Sequence, residues 1–201
     1  MRLLLILVFA LTLFSCETRR LPIYGNHEPT ENGDTIFHSI GTFQFINQDS
    51  LTVSEEIFAG KIYVADFFFI NCPEICPNMT AQMNRVYKKF EENPNVLLLS
   101  HSIDTRNDSV PALKSYAEKL GVPTKKWHFV TGERDQIYQL AKEKYYISTM
   151  EDANAEGGYL HNQKFILIDQ KGRIRGYYTG TEKEDVDRLM VDMELLLESE
   201  E

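Results

Sequence analysis

Apolar residues along this chain fall into two rhythms. Residues 61–70 (KIYVADFFFI) are a continuous apolar run rich in aromatic and β-branched side chains, and residues 96–103 are a second such run. Both predict strands buried on two faces. Between them Met79, Met83, Val86, Tyr87 and Phe90 recur at helical spacing, which predicts a helix over 77–92 and makes the two methionines core residues. A helix over 111–120 follows, with proline near its start and Gly121 just past its end. Residues 127–131 predict a third strand. Residues 133–144 predict a helix with Ile137, Leu140 and Ala141 on one side.

Residues 164–169 and 173–178 read as a hairpin around Gln170-Lys171-Gly172. Thr181 and Glu184 predict a capping box that opens a last helix, with an apolar stripe from Val186 to Leu197. Nearer the front, 42–47 and 50–53 predict a short hairpin around Gln48-Asp49. Strand–helix crossovers followed by a hairpin and a final helix give an α/β fold, a mixed central sheet flanked by helices. A cysteine motif where the first long core strand meets its helix makes this a thioredoxin-like fold.

Composition narrows the class. Hydrophobic residues are 43% of the 201-residue chain and charged residues 25%, as in a soluble globular domain. The formal net charge of −9 excludes nucleic acid as a partner, since phosphate contacts need clustered Lys and Arg. Residues 1–15 read as a leader: Arg2, then an apolar run from Leu3 to Phe14 too short for a bilayer span, then Ser15-Cys16. That ending resembles a bacterial lipobox, with Phe14 bulkier than usual, so Cys16 is expected to be lipidated, the alternative being an uncleaved N-terminal anchor. Residues 16–36, with Pro22, Gly25, Pro29 and Gly33, read as a flexible membrane-proximal linker, and 37–201 as the folded domain. The expected location is the bacterial cell envelope, outside the cytoplasm.

Of three cysteines, two remain once Cys16 serves as anchor. A single close pair is no disulfide scaffold, and so short a loop stabilises little, so the pair has a chemical task. The motif reads Asn71-Cys72-Pro73-Glu74-Ile75-Cys76-Pro77. At a helix N-terminus the unpaired N–H groups and the positive dipole end stabilise a thiolate. If the loop is partly helical, spacing i to i+4 brings both sulfurs onto one face. Two adjacent soft thiolates form a disulfide or clamp a soft metal, Cu(I) first and Zn(II) next.

A two-sulfur site calls for a third ligand. Among five histidines, His27, His38, His101 and His128 read as surface or packed residues. His161 follows Gly157-Gly158-Tyr159-Leu160, in the loop that faces the cysteine loop in a thioredoxin-like chain. Redox members place a cis-proline there, and no proline follows Pro123 in this sequence.

The stretch from Asp66 to Thr80, then Ser102-Ile103-Asp104, Trp127, Thr131-Gly132 and HNQKFILIDQKGRIRGYYTG from His161 resemble the Sco (SenC/PrrC) family. Its members are copper-binding assembly factors for the copper A site of cytochrome c oxidase. The resemblance covers about residues 40–198. It implies a copper ion, Cu(I) or Cu(II), held by Cys72, Cys76 and His161. It also implies the copper A subunit as recipient and a copper donor or reductant protein as further partner. Some members carry Asp just before the histidine, where this chain has Leu160.

Two functions stay open on these residues. A copper metallochaperone needs Cys72, Cys76 and His161. A thiol–disulfide reductase, keeping a partner's metal-binding cysteines reduced, needs only the redox-active pair Cys72 and Cys76. A peroxiredoxin-type peroxidase fits poorly, because the position three before Cys72 is Phe69 rather than threonine.

Overall fold

A computed structural model describes residues 20–73, 75–152, 158–160 and 162–199. The leader at 1–15, the expected anchor Cys16 and the expected ligand His161 lie outside the described residues. In chain order the elements are β1 (His27–Pro29), β2 (Thr35–Phe37), β3 (Gln44–Asn47), β4 (Thr52–Ser54), β5 (Ile62–Phe68), α1 (Ile75–Phe90), β6 (Val96–Ser102) and α2 (Val110–Leu120). They continue with β7 (Trp127–Thr131), α3 (Arg134–Glu143), β8 (Met150–Glu151), β9 (Tyr159–Leu160), β10 (Lys164–Ile168), β11 (Ile174–Thr179) and α4 (Lys183–Glu198).

Seven strands form the central sheet in the order β11-β10-β5-β6-β7-β3-β4. β5, β6 and β7 run parallel, and β10, β11, β3 and β4 add antiparallel pairs on both sides. Every residue of β5, β6 and β7 is buried, as their near-continuous apolar runs require. Successive side chains on β5 serve opposite faces. Phe67 packs edge-on to Tyr145, just beyond α3, with ring centroids 5.5 Å apart. Phe68 stacks on Tyr116 of α2 at 5.6 Å. The Thr80 hydroxyl meets Tyr116 at 2.8 Å, so α1 shares the α2 face. Lys89–Glu194 then ties α4 to α1. This is a thioredoxin-like layering, with α1, α2 and α4 on one side and α3 on the other. Met79 and Met83 are 1% and 0% exposed and belong to the core.

Two expectations are corrected. The stretch read as a flexible linker is partly folded onto the domain. Leu21 is buried, Tyr24 bridges to Ile174, and β1 pairs with β2 in a small antiparallel hairpin. The physical reason is Arg175, buried in β11, whose guanidinium donates to the carbonyls of Pro22 (3.0 Å) and Leu21 (2.7 Å). The capping box on α4 does not form. Glu182 is the N-cap residue and makes no side-chain cap bond. The Thr181 hydroxyl donates to Gln163 Oε1 at 3.2 Å instead. Asp185, in the first turn, accepts from the Thr179 amide at 2.6 Å and supplies the negative charge that the helix start favours.

Candidate metal and thiol site

β5 ends at Phe68 and the chain turns at once into the cysteine loop, so the site stands at the carboxyl end of the parallel strands. Two contacts fix this exit. The Ile103 amide donates to the Phe68 carbonyl at 2.9 Å, and the Ile70 amide donates to Asp108 Oδ2 at 3.1 Å. Asp108 also accepts from the Ser102 hydroxyl at 2.6 Å. Burial pushes its carboxyl up to about 6, against the pull of these two donors.

The two cysteines are not joined in a disulfide, and both are buried, Cys72 at 7% exposure and Cys76 at 2%. Helix α1 begins at Ile75, so Cys72 precedes the helix and does not sit on its face. The sulfurs still converge, because the Cys76 amide in the first turn donates to Cys72 Sγ at 3.2 Å. A first-turn helix N–H thus points at the first sulfur. Cys76 faces the core, and the expected thiolate stabilisation does not prevail there. Burial pushes its thiol well above the ordinary range, against the opposing Phe69 N–H directed at the sulfur.

Beneath the loop lies a buried polar chain. Trp127 Nε1 donates to Ser100 Oγ at 2.8 Å, and Ser100 Oγ donates to Asp66 Oδ1 at 2.5 Å. Asp66 is 3% exposed, and burial raises its carboxyl to about 7 despite the serine. Sequence reasoning assigned no role to Asp66, Asp108 or Tyr159. The available signal for Asp66 was a lone carboxylate inside an apolar strand.

Of the histidines, His101 is fully buried, stacked on Phe67 at 4.8 Å, and desolvation lowers it to about 3. His128 is buried and lowered to about 4 by the same cause. Both are neutral core residues, as expected. His38 bonds the Lys144 carbonyl at 2.8 Å, and His27 lies edge-on to Phe37 at 5.0 Å. Among the described residues no three His, Cys, Asp or Glu side chains form a metal cage.

The neighbours of position 161 are described on both sides. Tyr159 packs on Phe69 at 5.1 Å and donates to Asp104 Oδ1 at 2.7 Å. On the other side the Gln163 carbonyl accepts from the Gly180 amide at 2.7 Å, and the Thr181 carbonyl accepts from Asn78 Nδ2 at 3.4 Å. One flank therefore meets the chain three residues before Cys72. The other is tied through Gly180 and Thr181 to the chain two residues after Cys76.

Known proteins resemble this chain in sequence and fold. The family model described as SCO1/SenC matches residues 32–197. A SCO1/SenC family lipoprotein from Bacillus anthracis is 33% identical and superposes with a TM-score of 0.74 over 80% of this chain and 96% of its own. BsSco, described as a member of the Sco family of cytochrome c oxidase assembly proteins with a disulfide switch, is 32% identical (TM-score 0.70; 79% of this chain, 93% of its own). Arabidopsis thaliana ScoI, solved with copper bound, is 23% identical and shares the fold (TM-score 0.65; 79% and 98%).

Proposed function

We propose, because this chain belongs to the SCO1/SenC family, that it is a copper carrier for the assembly of cytochrome c oxidase. In this reading Cys72, Cys76 and His161 hold one copper ion as cargo, and the chain passes it to the copper A subunit. The observation that carries the reading is the convergence of two thiol sulfurs at the carboxyl edge of the sheet, with the chain on either side of position 161 bonded to that same edge. Two thiolates and one imidazole suit trigonal Cu(I), and soft sulfur disfavours harder competing cations. Delivery needs ligand exchange, and oxidation of the pair to a disulfide removes two of the three donors.

Lipidation at Cys16 would tether the domain to the outside of the cytoplasmic membrane or to another envelope surface. The Bacillus anthracis relative, described as a lipoprotein, supports this. Among the described residues no helix is long and apolar enough to cross a membrane.

A second reading is favoured by the thiols themselves. Two cysteines without a mutual disulfide, joined by an N–H to sulfur contact, suit disulfide exchange with a partner, and a relative carries a described disulfide switch. Cells carrying His161→Ala separate the two readings. The carrier reading expects poor oxidase assembly at limiting copper with the dithiol intact. Normal oxidase activity in those cells, with loss in Cys72→Ala and Cys76→Ala cells, would transfer the function to thiol reduction.

A further inference from the structure

The exposed apolar side chains of this chain are not scattered. Of the six large hydrophobic residues exposed among the described residues, Tyr24, Ile36, Phe37 and Tyr146 gather around the β1–β2 hairpin. The Asn26 amide donates to the Tyr146 hydroxyl at 3.5 Å, and the Tyr146 ring lies 4.8 Å from that of His38. All residues of β1 and β2 are exposed, although the Arg173 guanidinium lies over the Phe37 ring at 5.9 Å and holds one side of the hairpin to the domain. A lone two-stranded ribbon is marginal in water, and this one leaves Ile36 59% and Phe37 39% exposed.

The chain itself indicates what covers this patch. From Leu21 onward it is fixed to the domain by Arg175. Cys16 lies five residues earlier, a reach of at most about 18 Å. A lipid on Cys16 therefore keeps this end of the domain close to the bilayer. Glu28, Glu31 and Asp34 on the same hairpin oppose attraction to anionic lipid, so the contact is apolar, with aromatic rings at headgroup level.

The cysteine loop lies at the other end. The Gly60 amide, just before β5, donates to the Gln170 carbonyl in the β10–β11 turn, next to the Arg173 and Ile174 region where the N-terminal segment docks. β5 then runs about 20 Å to Phe68, and Cys72 follows.

We propose that Tyr24, Ile36, Phe37 and Tyr146 rest in the headgroup–acyl boundary of the membrane that anchors the chain, turning the Cys72–Cys76 loop away from it. The inference rests on the lipidated Cys16 reading. It implies that the receiving protein presents its metal site on a domain standing off the membrane, not within the bilayer.

The test uses the full, acylated chain in phosphatidylcholine vesicles with brominated acyl chains. A Phe37→Trp protein adds an emitter on the patch, and native Trp127 is buried. A Glu133→Trp protein adds one on an exposed position at the cysteine end. Bromine is expected to quench the added emission by at least half at position 37 and by less than a tenth at position 133. An acylated chain, shown by intact mass, with no quenching at 37 would overturn the contact alone. Quenching at 133 would overturn the orientation. A chain without acyl groups would overturn the anchor reading and the contact together.

Discussion

The Cys76 amide donates to the Cys72 sulfur across 3.2 Å, while the Cys76 thiol itself is packed into the core. The two cysteines are therefore unequal. The first receives a helix N–H, and the second is buried where desolvation raises its thiol. With a limiting alkylating agent at neutral pH, Cys72 is expected to react at least about tenfold faster than Cys76. Peptide mapping by mass spectrometry reads the order, and modification of Cys76 first would contradict it.

Tyr159 latches the loop that leads to His161 onto Asp104 and Phe69. Tyr159→Phe removes the hydroxyl and keeps the ring. If the latch positions the imidazole, copper affinity in a chelator competition falls roughly 10-fold, the lower end of losses from residues that orient ligands. The disulfide-exchange rate stays unchanged. An unchanged affinity would show that the latch does not position the ligand.

Asp66 makes stability depend on pH. Burial raises its carboxyl from 3.8 to about 7, so the folded state holds the proton more tightly than the unfolded chain. The resulting stabilisation is complete below about pH 4 and is lost as pH rises through about 7, for a total of order 4 kcal/mol. Asp66→Asn keeps an acceptor for the Ser100 hydroxyl and removes the titration. Denaturant unfolding from pH 4 to 8 should show the wild type losing stability relative to Asp66→Asn. Parallel profiles would rule out a raised Asp66.

Asp169 and Arg175 form a buried pair at 2.9 Å, and Arg175 also holds the carbonyls of Leu21 and Pro22. Removing one member of a buried pair costs about 3–5 kcal/mol, because the other charge stays buried. Arg173 also contacts Asp169, so Arg175→Ala is expected near the lower end, about 3 kcal/mol by urea unfolding. The same variant should expose the chain before Tyr24 to protease. Cleavage there at the wild-type rate would mean that Arg175 does not fasten the strap.

The central strands, the α1 stripe and the final hairpin were legible in the sequence because burial writes them as long apolar runs or fixed periods. β5 and β6 came out within two residues of their expected ends. The cysteine pair was legible because it follows β5 directly. The N-terminal strap was not, because one arginine in β11, more than 150 residues away, holds it, and prolines and glycines in isolation read as a spacer. The missed cap on α4 has a similar cause: Thr181 finds a better partner in Gln163, which only the fold brings near. Asp66 acts through a buried bond to Ser100 and Tyr159 through a half-buried one to Asp104, and no local pattern marks such pairings.

The central claim is that Cys72, Cys76 and His161 together hold copper. Titration of Cu(I) into the fully reduced chain, with X-ray absorption on the loaded sample, tests it most directly. One copper per chain is expected, with two sulfur neighbours and one nitrogen neighbour, the nitrogen lost in His161→Ala. Uptake below about a tenth of an equivalent with both thiols shown to be free, or an unchanged nitrogen neighbour in His161→Ala, would contradict it.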